Sequence, residues 1–161
     1  MFPNSKLRVR EIERKLKIPL PSVIRYCKEL NNEDILTTIK TGEVVFYTAQ
    51  RSNDKFLIEK RLNNIRTLYD SGLVNFIKEK LNNPKIIVFG SFSKGEDSEQ
   101  SDIDLYVETP SKKEIDIKEF ENKLSRKLQI LKHNKISDIK NIHLINNIIN
   151  GITLNGFVEV L

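Results

Sequence analysis

The sequence predicts an α+β protein: two short helices and a hairpin, then a longer helical stretch, then strands alternating with helices. Three observations carry this expectation. Apolar residues recur at helical spacing over residues 8–18, 22–30 and 52–81. Residues 35–40 and 44–49 alternate as strands should and flank Thr41-Gly42-Glu43, where Gly42 supplies the turn. From residue 85 onward, uncharged β-branched runs alternate with amphipathic helical segments, which implies a sheet covered by helices.

The elements follow in order. Arg8 to Ile18 reads as a short helix with Val9, Ile12 and Leu16 at helical spacing, stopped by Pro19-Leu20-Pro21-Ser22 because proline removes a backbone donor and disfavours helix in the residue before it. Ser22 is expected to cap a second helix, whose apolar stripe is Val23, Ile24, Cys27 and Leu30. Helix, turn, helix, then hairpin is the order of a winged helix. Such domains ordinarily carry one helix more in front, and only seven residues precede Arg8 here. The expectation is a winged helix short of its first helix, with the gap filled by a partner or by residues upstream of Met1.

Residues 52–81 form a helical connection, offered caps by Ser52, Asn53 and Asp54, interrupted at Ser71-Gly72 and ended by Asn82-Asn83-Pro84. Lys85 to Phe89 has the composition of a buried strand, and Ser101 to Glu108 is a second. Asp116 to Lys127 is an amphipathic helix with Ile117, Phe120 and Leu124 inward; Leu128 to Leu131 is a third strand; Ile142 to Ile149 is a final helix closed by Gly151. The apolar stretch from Gly151 to Leu161, with a turn at Asn155-Gly156, packs either on the sheet or in a homodimer interface. The expected domains are 1–50, a linker over 51–84, and 85–161.

Length and charge bound the function. The chain has 161 residues, 39% of them hydrophobic, enough for one mid-sized domain or two small ones. No apolar run approaches ~18 residues and the N-terminus lacks a signal-peptide core, so a soluble cytoplasmic protein without a membrane partner is expected. The single cysteine, Cys27, excludes an internal disulfide and a Cys-based zinc site, and reads as a small core residue. His133 and His143 lack the acidic or thiol cluster that a metal site needs. The four tyrosines form no platform for stacking single strands.

The net charge of +5 is unevenly spread: +6 over residues 1–28, zero over 29–84 and −1 over 85–161. An excess confined to the helix-turn-helix segment points to duplex DNA. Arg8, Arg10, Arg25 and Lys28 are the residues expected to reach phosphate, the last two from the second helix. The plainer alternative is a solvated helix face, or a protein-interaction module.

The chemistry lies in Gly90-Ser91-Phe92-Ser93-Lys94-Gly95, six further residues, then Asp102-Ile103-Asp104. Gly90-Ser91 ends a buried strand and should begin a helix, where glycine permits close approach and free N–H groups favour phosphate. Asp102 and Asp104, two apart in a strand, share one face. Two hard oxygen donors on one face suit Mg²⁺, which is held by one or two carboxylates plus substrate phosphates. A phosphate cradle beside such a pair is what phosphoryl or nucleotidyl transfer requires.

The run GSFSKGEDSEQSDIDLYV resembles the signature of the DNA polymerase beta-like nucleotidyltransferase superfamily: Gly-Ser, ten residues, Asp-x-Asp. It is most similar to the minimal nucleotidyltransferases of bacteria and archaea, over about residues 85–161. The winged helix in front resembles archaeal proteins that fuse such a module to this domain. The resemblance implies a small mixed sheet; nucleotide binding by Gly90, Ser91 and Lys94; and Mg²⁺, with Mn²⁺ as a substitute, on Asp102 and Asp104, the catalytic pair. It implies ATP or another nucleoside triphosphate as substrate and a hydroxyl acceptor. Because related minimal enzymes often act as antitoxins that adenylylate a ribonuclease toxin, a partner toxin protein fits that role. One residue departs from the family's pattern. A third carboxylate is usual on a later strand, and the matching segment here, Leu128-Gln129-Ile130, holds Gln129. Nucleotide binding should survive this, while transfer is expected to slow or be lost, leaving a DNA-binding regulator as the alternative function.

Overall fold

The structure is a computed structural model that describes residues 4–157. The chain divides into two compact units, Met1–Glu59 and Lys60–Leu161. The division falls inside a helix that the sequence reading assigned to a linker.

In the first unit, α1 (Val9–Leu16) ends where Lys17 takes a left-handed conformation, φ 55°. The second helix, α2 (Leu20–Asn32), begins earlier than expected. Pro19 is its N-cap residue and Pro21 lies in its first turn, where a missing N–H costs nothing, so Ser22 is inside the helix rather than capping it. The strands β1 (Leu36–Thr41) and β2 (Val44–Ala49) form the expected antiparallel hairpin. Leu7 adds a short third rung, exchanging backbone hydrogen bonds with Tyr47 at 3.0 and 2.8 Å. Val23 and Cys27 are buried, but α1 buries no residue, and Leu16 is 60% exposed.

Helix α3 (Asp54–Asp70) is preceded by Asn53, whose Oδ1 accepts from the Lys55 and Phe56 N–H groups at 2.8 and 3.3 Å. The second unit takes in the later part of α3 and then α4 (Leu73–Lys80), whose Leu73, Val74 and Ile77 are fully buried. The expected linker is therefore core material: these residues, Leu68 and Leu81 pack with Ile86, Val88, Ile103, Leu105, Val107 and Leu128.

A four-stranded sheet follows, built from β3 (Lys85–Phe89), β4 (Ile103–Glu108), β5 (Leu128–His133) and β6 (Ile152–Asn155) in the order β5-β4-β3-β6. Strands β4 and β5 run parallel and the other pairs antiparallel, so the small sheet is mixed. The crossover between the parallel strands is α6 (Lys118–Leu124), shorter than expected because Ser125 turns left-handed at φ 51°. A single 3-10 turn (Ile136–Asp138) leads to α7 (Ile142–Ile149), capped by Asn141, whose Oδ1 accepts from the His143 and Leu144 N–H groups.

The period of two along β3 and β4 assigns side chains to faces. Ile86, Val88, Ile103, Leu105 and Val107 meet α4, Phe92 and Phe120. Ile87, Phe89 and Tyr106 meet Ile139 and Ile148 on the α7 side. Of the alternatives for the C-terminal stretch, residues 152–155 pack on the sheet as its edge strand. A side chain at Gly151 would lie 2.5 Å from the Val88 carbonyl, so only glycine lets α7 return to β3 there. Residues 158–161 of that stretch lie outside the described residues. Among the described residues no helix is long and apolar enough to cross a membrane.

Candidate active site

The predicted motif is built around the end of β3. After Phe89 the backbone turns at Gly90, φ +71°, directly into the one-turn helix α5 (Gly90–Lys94), which closes at Gly95, φ +77°. Phe92 anchors this turn in the core, and the Ser93 hydroxyl donates to the Gly90 carbonyl at 2.8 Å. Ser91 is half-buried and Lys94 is exposed.

Asp104 stands opposite Phe89 in the antiparallel register of β3 and β4. Its carboxylate fills the space a side chain on Gly90 would need: a Cβ there would lie 2.6 Å from Asp104 Oδ2. The motif's glycine and its second aspartate therefore touch, fourteen positions apart in sequence. Asp102 sits just before β4 rather than within it, a residue short of the strand expected from 101. Burial, and then the like charge of Asp102, push the Asp104 carboxyl up from its ordinary value.

Gln129 is the parallel-register partner of Asp104 on β5. Its Nε2 donates to Asp102 Oδ2 at 2.6 Å, so the residue read from sequence as occupying the third carboxylate's slot reaches the aspartate pair. The donor set assembled here is two carboxylates and one amide, all hard oxygen chemistry once the amide turns its Oε1 inward. That set fits a small divalent cation better than a soft metal. Asp102 and Asp104 would hold it. Among the described residues no group of three His, Cys, Asp or Glu side chains forms a metal cluster.

The six-residue connection from Gly95 to Asp102 is fixed by residues that the sequence reading did not single out. Asp97, 1% exposed, pairs with Lys60 and accepts from Asn64 Nδ2 at 2.7 Å and from the Arg126 guanidinium at 3.1 Å. The sequence shows Glu96, Asp97 and Glu99 as equivalent loop acids, and no pattern in the chain marks which is buried.

The four bases proposed for DNA lie on the first unit. Arg8 precedes α1 and pairs with Glu11 at 3.4 Å; Arg10 is exposed on α1. Arg25 and Lys28, three apart on α2, are exposed, with Arg25 3.8 Å from Glu29 and its guanidinium 4.9 Å from the Tyr26 ring centre. Both pairs are solvent-exposed and screened, so they hold their arginines only weakly.

A cleft of about 590 Å³ opens at the other end of β3 and β4, bordered by Lys85, Glu108, Thr109 and Phe157, and contains none of the predicted site residues. There Glu108 accepts from Lys85 Nζ at 2.6 Å, the Tyr106 hydroxyl at 2.9 Å and the Ile136 N–H at 2.9 Å. Burial of Tyr106, and then its bond to Glu108, raise the phenol's pKa well beyond its ordinary value.

The glycine that opens the turn, the two aspartates at and just before the neighbouring strand and the strands β3 to β5 of the mixed sheet lie in one continuous stretch of the chain. The family model for the nucleotidyltransferase domain matches residues 71–151, half of the chain, and the chain belongs to that family. The match begins at α4, inside the expected linker. No curated protein and no solved structure gives a significant match.

Proposed function

We propose that this protein is a Mg²⁺-dependent transferase that moves a nucleoside monophosphate from a nucleoside triphosphate, ATP foremost, to a hydroxyl on an acceptor, breaking the bond between the α- and β-phosphates and releasing pyrophosphate. The observation that carries this reading is the contact between Asp104 and Gly90, which brings the carboxylate pair against the turn proposed for phosphate. Gly90 and Ser91 offer backbone and hydroxyl to the triphosphate, and Lys94, exposed at the end of α5, steadies its charge. Asp102 and Asp104 would hold the cation, whose chemistry there would be neutralisation of charge on the triphosphate. The Asp104 carboxylate occupies the space beside Gly90 that a side chain there would need, which supports a site in which the turn and the aspartate lie together. Gln129, being neutral, cannot take the acceptor's proton as a carboxylate in that slot could.

A partner protein, such as a toxin, is the acceptor this reading favours. The first unit is read as a winged helix that presents Arg8, Arg10, Arg25 and Lys28 to duplex DNA. A second function rests on Gln129 itself. Its bond to Asp102 replaces a third charge with an amide, which supports a nucleotide-binding regulator that turns over slowly or not at all.

One experiment separates the two. The protein is incubated with Mg²⁺ and α-labelled ATP, alone and with the proteins encoded beside it. Label transfer that disappears in Asp102→Ala/Asp104→Ala supports the transferase. Absence of transfer, with salt-sensitive duplex binding lost in Arg25→Ala/Lys28→Ala, supports the regulator.

A further inference from the structure

The ten residues between Ser91 and Asp102 are held from outside by a buried charge cluster, centred on Asp97, that nucleotide chemistry does not require. Asp97 and Lys60 are each 1% exposed, and Arg126 is 12% exposed as a side chain. Taking such charges out of water is expensive, and well-packed apolar residues often serve stability as well or better. The cluster therefore needs a reason beyond holding the fold together, and its hydrogen bonds supply one.

Each of its side chains grips the loop as well as Asp97. Asn64 Nδ2 donates to the Phe92 carbonyl at 2.9 Å, one residue beyond Ser91. Lys60 Nζ donates to the Asp97 carbonyl at 2.7 Å in the middle of the connection. Arg126 donates from one nitrogen to the carbonyls of Ser98 and Ser101, the latter at 2.9 Å and adjacent to Asp102. Asp97 Oδ1 accepts from Lys60 and Asn64, and Oδ2 from Arg126, so its carboxylate is the common partner of all three. The cluster is anchored in α3 on one side and in the turn between α6 and β5 on the other. It spans the loop from the residue after Ser91 to the residue before Asp102.

We infer that Asp97, with Lys60, Asn64 and Arg126, is a positioning residue that sets the distance between the phosphate turn and the metal-binding aspartates. The inference rests on the nucleotide-site reading above and adds to it the element that fixes its geometry. Ser91 lies in α5 and Asp102 just ahead of β4, and residues 95–101 between them form no helix or strand. A triphosphate held at Ser91 and a cation held at Asp102 must meet, and a loop free to shift would separate the two functions without unfolding anything. Asp97 touches neither ligand and acts only through the backbone it holds.

The test uses two substitutions that leave no buried charge unpaired by design. Asn64→Ala removes the link to Phe92, and Arg126→Lys keeps the charge while losing the fork that spans Asp97, Ser98 and Ser101. Mn²⁺ binding is measured with and without ATP, alongside the thermal midpoint and hydrogen exchange of the 96–101 amides. Positioning predicts that Mn²⁺ alone binds within roughly threefold of wild type, while the tightening of Mn²⁺ binding by ATP falls by roughly tenfold or more. Exchange in the loop should rise in parallel. If both variants lower the midpoint but bind Mn²⁺-ATP as tightly as wild type, the cluster is structural and the inference is overturned. If wild type shows no Mn²⁺-ATP binding that Asp102→Ala/Asp104→Ala removes, the nucleotide reading fails first and takes the inference with it.

Discussion

Gly90→Ala tests the central contact of the site directly. The added Cβ would lie 2.6 Å from Asp104 Oδ2, whereas ordinary contact begins at 3.4 Å, so the carboxylate must retreat by about 0.8 Å or the turn must open. The backbone imposes its own cost, because φ +71° is left-handed and disfavours alanine by about 1–2 kcal/mol. The two effects can be separated. Gly72 has φ +83° and belongs to the same unit, yet its nearest neighbour for a new Cβ is Phe120 Cε1 at 4.0 Å. Gly72→Ala therefore carries the backbone cost alone. Both variants should lose comparable stability in a thermal melt, with Gly90→Ala somewhat the worse. Only Gly90→Ala should weaken Mn²⁺-ATP binding by calorimetry, roughly ten- to hundredfold, because ligands held to within an ångström are what the site requires. Equal binding by the two alanine variants would refute the claim that Asp104 is positioned by its contact with Gly90.

Other expectations follow from the same geometry. Gln129→Glu adds a third charge beside Asp102 and should tighten Mg²⁺ binding about tenfold, read by calorimetry, while lowering stability without the ion because three carboxylates then repel. Arg25→Ala/Lys28→Ala should reduce the slope of log affinity against log salt for duplex DNA by about 1.8, the loss of two phosphate contacts. Burial alone would raise the Glu108 carboxyl, but the Lys85, Tyr106 and Ile136 donors outweigh it and lower its pKa below 4.5. A depressed carboxylate contributes stability that is complete above its unfolded value and lost as pH falls through its folded value. The wild-type melting temperature should therefore drop below about pH 4.5 more steeply than that of Glu108→Gln, which lacks this ionisation.

What could be read from the sequence had local causes. The strand at Lys85 to Phe89, the hairpin turn at Gly42 and the helix from Ile142 to Ile149 each appear as a run or a punctuation mark, and each is observed. The start of α2 was misjudged because two signals competed. Ser22 is a good cap, but Pro21 also suits a first turn, and the chain enters the helix at Leu20. The expected linker over 51–84 contributes core residues, which its sequence conceals for a different reason. A helix with one apolar stripe looks the same whether it bridges two domains or covers a sheet, and only the burial of Leu73, Val74 and Ile77 decides the matter. Strand β6 escaped notice since Ile152 to Asn155 is four residues long, with one buried side chain and no alternation to speak of.

The acids of the GEDSEQSD segment show where pattern reading ends and why. Asp97, Asp102 and Asp104 are the same residue type within eight positions, and two fall in a recognisable motif. Asp102 and Asp104 remain half-exposed, at a place where a charged ligand can reach them. Asp97 is sealed from solvent by partners 37, 33 and 29 residues away in sequence. A motif spacing reports residues that share a strand or a turn; it carries no information about a lysine in α3 or an arginine beyond α6. The spacing of ten residues between Ser91 and Asp102 does, however, limit what the loop can be. It must leave the core beside Phe92, cross to the head of β4 and arrive with its last carbonyl against Arg126. A flexible loop of that length could make the journey in many ways, at an entropic cost that grows only slowly with length. The buried charge at Asp97 selects one of them, so the length of the loop and its unmarked middle residue serve a single geometric end.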